Sequence, residues 1–268
     1  MRNMSRPEAY LLAAVLAALA FACLGPAVAQ QDDYHAFADQ RSWLGVSCAM
    51  DVLSNLPFAV AGIWGLAMIG FKRRVAWDAR WALATFFFAG LLITAVGSAV
   101  YHWQPENGGL AWDRVGMVTA FAGLLGMAAA DRISMRSGLW VAGLVLVAGP
   151  VAVVVWYASA NLLPWVVVQG GGMLLVLALA LRRPLAKAWD LPLVVVIAFY
   201  AVAKLFELGD HAIFAWTCGW VSGHSLKHTA AALAALPVLF VMHNGARIRP
   251  PRGHRVRAQF KIINRNYL

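Results

Sequence analysis

The sequence predicts an all-α integral membrane protein: a bundle of seven transmembrane helices, preceded by a signal peptide or an extra N-terminal helix. Three observations carry this. Of 268 residues, 62% are hydrophobic and only 13% charged, with a mean hydropathy of +0.68; a soluble domain carries about 25% charged residues. Apolar runs of about 20 residues recur along the chain, each long enough to cross a bilayer as a helix. Lys and Arg gather in alternate loops, as the positive-inside rule requires.

Residues 1–29 open with Arg2 and Arg6, continue with an apolar stretch from Leu11 to Leu24, and end on Ala27-Val28-Ala29. That is the pattern of a basic start, an apolar middle and a small-residue cleavage site. The rival reading is an uncleaved first helix, since Tyr10 to Ala29 is nearly long enough to span. Residues 30–46, which include the polar run "QQDDYHAFADQR", form a segment outside the membrane. Residues 47–243 hold seven apolar segments, at 47–70, 81–102, 112–130, 138–157, 164–181, 190–209 and 221–243. They are apolar on all sides, so they read as buried or lipid-facing helices; the strands of a membrane barrel would alternate. Residues 244–268 form a basic tail.

The loops set the orientation. Lys72, Arg73, Arg74 and Arg80 lie in the first loop, Arg132 and Arg136 in the third, and Arg182, Arg183 and Lys187 in the fifth. The tail carries seven more Lys and Arg from Arg247 to Arg265. The intervening loops contain none. The odd loops and the C-terminus are therefore expected in the cytoplasm, and a bacterial inner membrane suits that arrangement. Six tryptophans, Trp43, Trp103, Trp112, Trp165, Trp216 and Trp220, fall near the opposite face as an aromatic belt. The net charge of +10 is accounted for by loops and tail, so no nucleic-acid partner is expected. The sequence names no protein partner.

Ionisable residues within membrane helices are expensive, and each is a functional hypothesis by default. The second segment ends "GSAVYHW", placing Ser98 and His102 four apart on one face. The third opens "AWDRVGM" with Asp113. The seventh opens "SGHSLKH", with His224 and His228 again four apart. The expected topology brings all five to one depth, near the outer leaflet. Three histidines with an open fourth position are the ligand set of a catalytic zinc site. One zinc ion per chain is expected, lowering the pKa of a bound water to about 7. Asp113 would serve as general base, and Ser98 would donate to the oxyanion or orient the water. The bland reading is a helical histidine pair bonded only to nearby backbone or lipid headgroups.

These residues resemble the CREST superfamily of seven-helix membrane hydrolases, which includes the alkaline ceramidases. The likeness rests on Ser98-x-x-x-His102, Asp113 and His224-x-x-x-His228. Within that group, "DVLSNLPF" with Ser54 and Asn55 resembles the ceramidase "SN" motif, and "FADQR", "WDRVGM" and "SGHSLKH" are similar to bacterial ceramidase-domain proteins. The resemblance spans most of residues 36–243. It implies zinc held by His102, His224 and His228, a membrane lipid as substrate, and hydrolysis of a ceramide-like amide to a sphingoid base and a fatty acid. Eukaryotic members also carry an acidic calcium motif before the first helix. Asp32, Asp33, Asp39 and Asp51 depart from its spacing, which argues against calcium. Two other readings stand beside the amidohydrolase: a lipid-binding or receptor-like protein with a structural zinc, and a hydrolase of another lipid amide or ester.

Secondary expectations concern single groups. Glu207 either pairs with Lys204, three residues before it, or supports a ligating histidine. Lys227 has no evident acidic partner, which disfavours a retinal Schiff base. Arg114 compensates Asp113 and has no assigned catalytic role. His35 and His211 read as exposed or interfacial. Cys48 and Cys218 both fall at the outer face, where an oxidising compartment would permit a disulfide.

The orientation has a direct check. A cysteine introduced at Gly108 is expected to react with a membrane-impermeant label from outside intact cells, and a C-terminal tag to be reached only from the cytoplasm. Labelling at 108 only after lysis would invert the arrangement.

Overall fold

The computed structural model describes residues 4–72, 78–186 and 188–244. The basic tail from residue 245 on, Arg73, Arg74 and Lys187 lie outside the described residues, and with them much of the loop charge that set the orientation. Among the described residues the chain forms eleven helices and no strand. They are α1 (Arg6–Leu24), α2 (Ala49–Leu53), α3 (Leu56–Lys72), α4 (Ala79–Trp103), α5 (Asn107–Arg132), α6 (Met135–Ser159), α7 (Leu163–Ala180), α8 (Leu193–Leu208), α9 (Asp210–Trp216), α10 (Gly223–Leu233) and α11 (Leu236–Asn244). Among the described residues seven segments are long and apolar enough to cross a membrane: α1 and six of the seven expected spans, all but the one that holds α8. The all-helical membrane bundle is therefore the fold.

Each expected span is occupied, but two are broken. The first divides into α2 and α3 at Ser54–Asn55, and the last into α10 and α11 at Ala234–Ala235. Pro57 and Pro237 stand second in α3 and α11. Proline lacks an N–H and clashes with the turn before it, which favours a break just ahead of either position, although α6 runs on through Pro150. The sixth span is also shorter than expected. α8 has 16 residues, about 24 Å at helical rise, against a hydrocarbon core of about 30 Å. Its end at Gly209 turns directly into α9.

The closest packing in the bundle joins α4 and α5. A Cβ on Gly90 would lie 2.1 Å from the Ala120 backbone nitrogen, one on Gly123 2.2 Å from that of Phe87, and one on Gly116 2.6 Å from that of Thr94. Gly97 meets Trp112 in the same way. Lipid offers no hydrophobic drive for helix association, so membrane helices gain contact by letting backbones approach at small residues. The consequence is positional. Ser98 follows Gly97, and Asp113 follows Trp112, so this contact sets their separation.

The far end of the bundle is tied by a buried ion pair. Arg132 Nη1 lies 2.6 Å from Asp131 Oδ2, and its Nη2 donates to the Leu191 carbonyl at 2.7 Å. Asp131 accepts the backbone N–H groups of Asp190 and Leu191. The end of α5 is thereby fastened to the loop between α7 and α8, and Trp81 packs edge-on against Trp189 beside it.

Two glycines on neighbouring helices separate packing from composition. Gly90→Val is expected to lower stability by about 1–3 kcal/mol through overpacking. Gly143→Ala, where nothing lies within 4 Å of an added Cβ, should hold or slightly raise it. Thermal unfolding in detergent, followed by circular dichroism, reads the difference; equal midpoints would contradict the α4–α5 contact.

Candidate metal centre

His102, from the last turn of α4, and His224 and His228, from the first turns of α10, converge. Their ring centroids are 4.7, 4.8 and 4.9 Å apart, a nearly equilateral triangle. One nitrogen from each lies within 4.8 Å of the others, and all three residues are buried. This cluster can hold a metal ion. His102 Nε2 and His224 Nε2 are 3.3 Å apart. Zinc–nitrogen bonds of about 2.0–2.1 Å meeting at a tetrahedral angle would separate two nitrogens by roughly 3.4 Å. His102 Nδ1, also buried, has no hydrogen-bond partner among the described residues.

The hydrogen bonds around His228 fix its tautomer. Ser54 Oγ donates its only proton to the Asp51 carbonyl at 2.8 Å. It can then only accept from His228 Nδ1, 2.7 Å away. Nδ1 therefore carries the ring proton, and Nε2 keeps a free lone pair, the form a ligating histidine needs. The break between α2 and α3 is what turns Ser54 toward the ring, so the "SN" pair of the sequence has a geometric role.

Two carboxylates position the start of α10. Asp51 Oδ1 accepts from Ser222 Oγ at 3.0 Å and from Ser225 Oγ at 2.7 Å. Asp210 Oδ1 accepts the His224 backbone N–H at 2.8 Å. Ser222 is also the N-cap, accepting from the Ser225 N–H. Negative charge and a capping oxygen at a helix N-terminus both satisfy otherwise unpaired N–H groups. Gly223 completes the fit, since a Cβ there would lie 2.3 Å from the Phe206 carbonyl oxygen.

Residues 36–41 close over this end. The Phe37 ring lies 4.6 Å from both the His102 and His224 rings. Asp39 is fully buried and bonds Arg41, whose Nη2 reaches the Trp220 carbonyl. Asp39 holds the Arg41 guanidinium above its ordinary pKa. The Ala38 N–H donates to Asp210 Oδ2. "FADQR" is thus a lid stapled to α9 and the approach to α10. The pattern around Phe37 gave no sign of contact with the histidines. Burial at an isolated residue in a polar segment has no periodic signal.

Ser98 and Asp113 line one cavity together with His228. The cavity has a volume of about 190 Å³. Near the histidines it is polar. Away from them its walls are Phe87, Leu91, Phe121, Leu124 and Val196. Glu207 pairs with Lys204 and accepts from Lys227 Nζ at 2.9 Å. The Lys204 pair is the first of the two readings the sequence offered; among the described residues Glu207 makes no direct bond to a histidine, and its second lysine, Lys227, has its Nζ 3.4 Å from His224 Nε2. Lys227 accordingly has an acidic partner, contrary to the sequence reading; helices eight and ten had to be packed before that could be seen. His35 is also more than an exposed histidine, bonding the buried Tyr101 hydroxyl at 2.9 Å.

The structure holds no Cys48–Cys218 bridge. Both thiols are free, Cys48 buried and Cys218 exposed. Cys48 packs with Phe37, Tyr101 and Leu110. Cys218 sits in the turn after α9 with φ 52°. Sharing one end of the bundle does not satisfy the short Cα separation a bridge requires.

No protein-family model matches the chain, and no curated protein gives a significant match.

Purified protein is expected to carry one metal ion per chain, and alanine at His102, His224 or His228 to remove most of it. Ser54→Ala should weaken metal affinity by roughly 10–100-fold while leaving all three ligands in place. Elemental analysis and chelator competition measure both; full metal retention in the three histidine variants would rule the site out.

Proposed function

We propose that the chain is a zinc-dependent membrane amidohydrolase that cleaves a ceramide-like lipid to a fatty acid and a sphingoid base. One observation carries the reading: a three-histidine cluster meets, through His228, a cavity whose lining holds Ser98 and Asp113 at that end and apolar side chains farther along. The donor set supports zinc. Imidazole suits Zn, Cu, Fe and Ni, and carboxylate is the donor that Mg, Ca and Mn prefer. No fourth protein donor joins the group among the described residues, and three ligands with an open position suit catalysis better than a structural site.

A zinc held by His102, His224 and His228 would supply Lewis-acid activation, lowering the pKa of a bound water to about 7. The remaining work falls to the chain. The apolar walls take the acyl chain, each buried CH₂ contributing about 0.8 kcal/mol. Asp113 accepts the proton that water loses as its oxygen adds to the amide carbonyl. Ser98, in the lining of the same cavity, supplies its hydroxyl proton to the developing oxyanion. The C–N bond then breaks, and the proton on Asp113 passes to the amine nitrogen. Acid and amine leave, and Asp113 is again a carboxylate. With the loop cations in the cytoplasm, as the sequence argues, the reaction takes place near the extracytoplasmic surface.

The decisive test is lipid mass spectrometry of purified protein incubated with ceramides, N-acyl amines and lysolipids, with and without chelator. Release of fatty acid from an N-acyl lipid that stops on chelation is expected. Asp113→Asn should keep its metal and lose roughly two or more orders of magnitude in rate. Parent-level turnover in that variant would remove Asp113 from the mechanism.

A further inference from the structure

The cavity carries a cation that the hydrolysis does not use. Arg114 is 2% exposed. Its guanidinium carbon lies 3.9 Å from the Trp156 ring centroid, 5.3 Å from that of Trp165 and 5.7 Å from that of Tyr34. Nη2 donates to Gln30 Oε1 at 3.3 Å. Nη1 is buried and has no hydrogen-bond partner among the described residues, Asp113 included. The three rings hold the planar fork in one orientation. A buried guanidinium nitrogen left without an acceptor is costly.

The surroundings agree in sign and in direction. The charged side chains lining the cavity are Arg114, Lys204 and Lys227 against Asp113 and Glu207. Three cations face two carboxylates, and a bound divalent metal would add to the excess. Arg114 also sits at the headward end. Gln30 and Tyr34 belong to the segment that covers the histidine end of the bundle, whereas the apolar walls run the other way, along α5 through Phe121 and Leu124. A lipid with its acyl chain among those walls presents its head group to Arg114.

We propose that Arg114 binds an anionic head group, a carboxylate or a phosphate, on the acyl lipid that occupies the cavity. The proposal rests on reading the cavity as a lipid site and adds the chemistry of the head group. A guanidinium offers paired N–H donors matched to a carboxylate or phosphate, and Nη1 is the donor left for it.

Matched lipids test this by equilibrium binding to the full chain in detergent, without any requirement for turnover. N-palmitoylglycine and N-palmitoylethanolamine share the acyl chain and the amide and differ in a carboxylate against a hydroxyl. Ceramide 1-phosphate and ceramide of equal chain length make the second pair. The anionic member of at least one pair is expected to bind about 10-fold tighter or more, the scale of a charge-assisted hydrogen bond made away from water. The pair with the larger ratio identifies carboxylate or phosphate. The preference should persist after chelation, vanish in Arg114→Gln and survive in part in Arg114→Lys. Equal binding within both pairs, a preference unchanged in Arg114→Gln, or a preference lost on chelation would each overturn the proposal. The unaltered protein alone decides the first and third outcomes if the glutamine variant does not fold. Failure to hydrolyse any lipid would count against the amidohydrolase and leave this binding comparison intact.

Discussion

The backbone contact between α4 and α5 is the constraint on which the site depends. Gly90, Gly97, Gly116 and Gly123 bring the two helices together so closely that a single methyl group at most of these positions would collide with main-chain atoms. Two of the polar residues of the cavity, Ser98 and Asp113, sit one residue beyond that contact, and His102 sits one turn beyond Ser98. A site geometry held by side-chain packing alone could drift as rotamers change. One held by backbone against backbone has far less freedom, because nothing flexible lies between the two helices.

The other half of the cluster is positioned by hydrogen bonds. α10 begins exactly where membrane helices are hardest to begin, with unpaired N–H groups in a poorly hydrated setting. Asp51, Asp210 and Ser222 satisfy that end from three different parts of the chain. The same Asp51 region supplies the carbonyl that orients Ser54, and Ser54 in turn sets the proton on His228. Helix capping and ligand preparation are thus one network. Phe37 then covers two of the rings with an apolar edge, closing the histidines off from the polar segment above them.

Charge in the cavity follows the same economy. Glu207 sits between Lys204 and Lys227 and so neutralises part of a cationic wall. The set is only partly buried, the Lys204 side chain being 42% exposed and those of Glu207 and Lys227 about a quarter, so its charges are shared between the cavity and its rim. Arg114 differs from the lysines: aromatic faces, and a single glutamine, surround it in place of a hydrogen-bonded carboxylate. That contrast separates cations serving the fold from one available to a ligand.

Much was legible in the sequence, for identifiable reasons. Hydropathy fixes where helices lie because a bilayer demands long apolar runs, and strict alternation of direction brings Ser98, His102, Asp113, His224 and His228 to one end. Hence the fold class and the membership of the cluster could be read from residue type and spacing. Pro57 and Pro237 mark the two breaks, but Pro150 lies within the unbroken α6, so proline by itself did not tell which spans divide. Tertiary structure alone decided which groups touch. It turned Ser54 to His228, joined Glu207 to Lys227, buried Asp39 and Phe37 in a segment that looks like a polar linker, and left Cys48 and Cys218 as separate thiols. The physical reason is range. Hydropathy and helical period act along a few turns of one chain segment, whereas a hydrogen bond or disulfide needs two distant segments placed to within about an ångström, and only the packed bundle sets that distance.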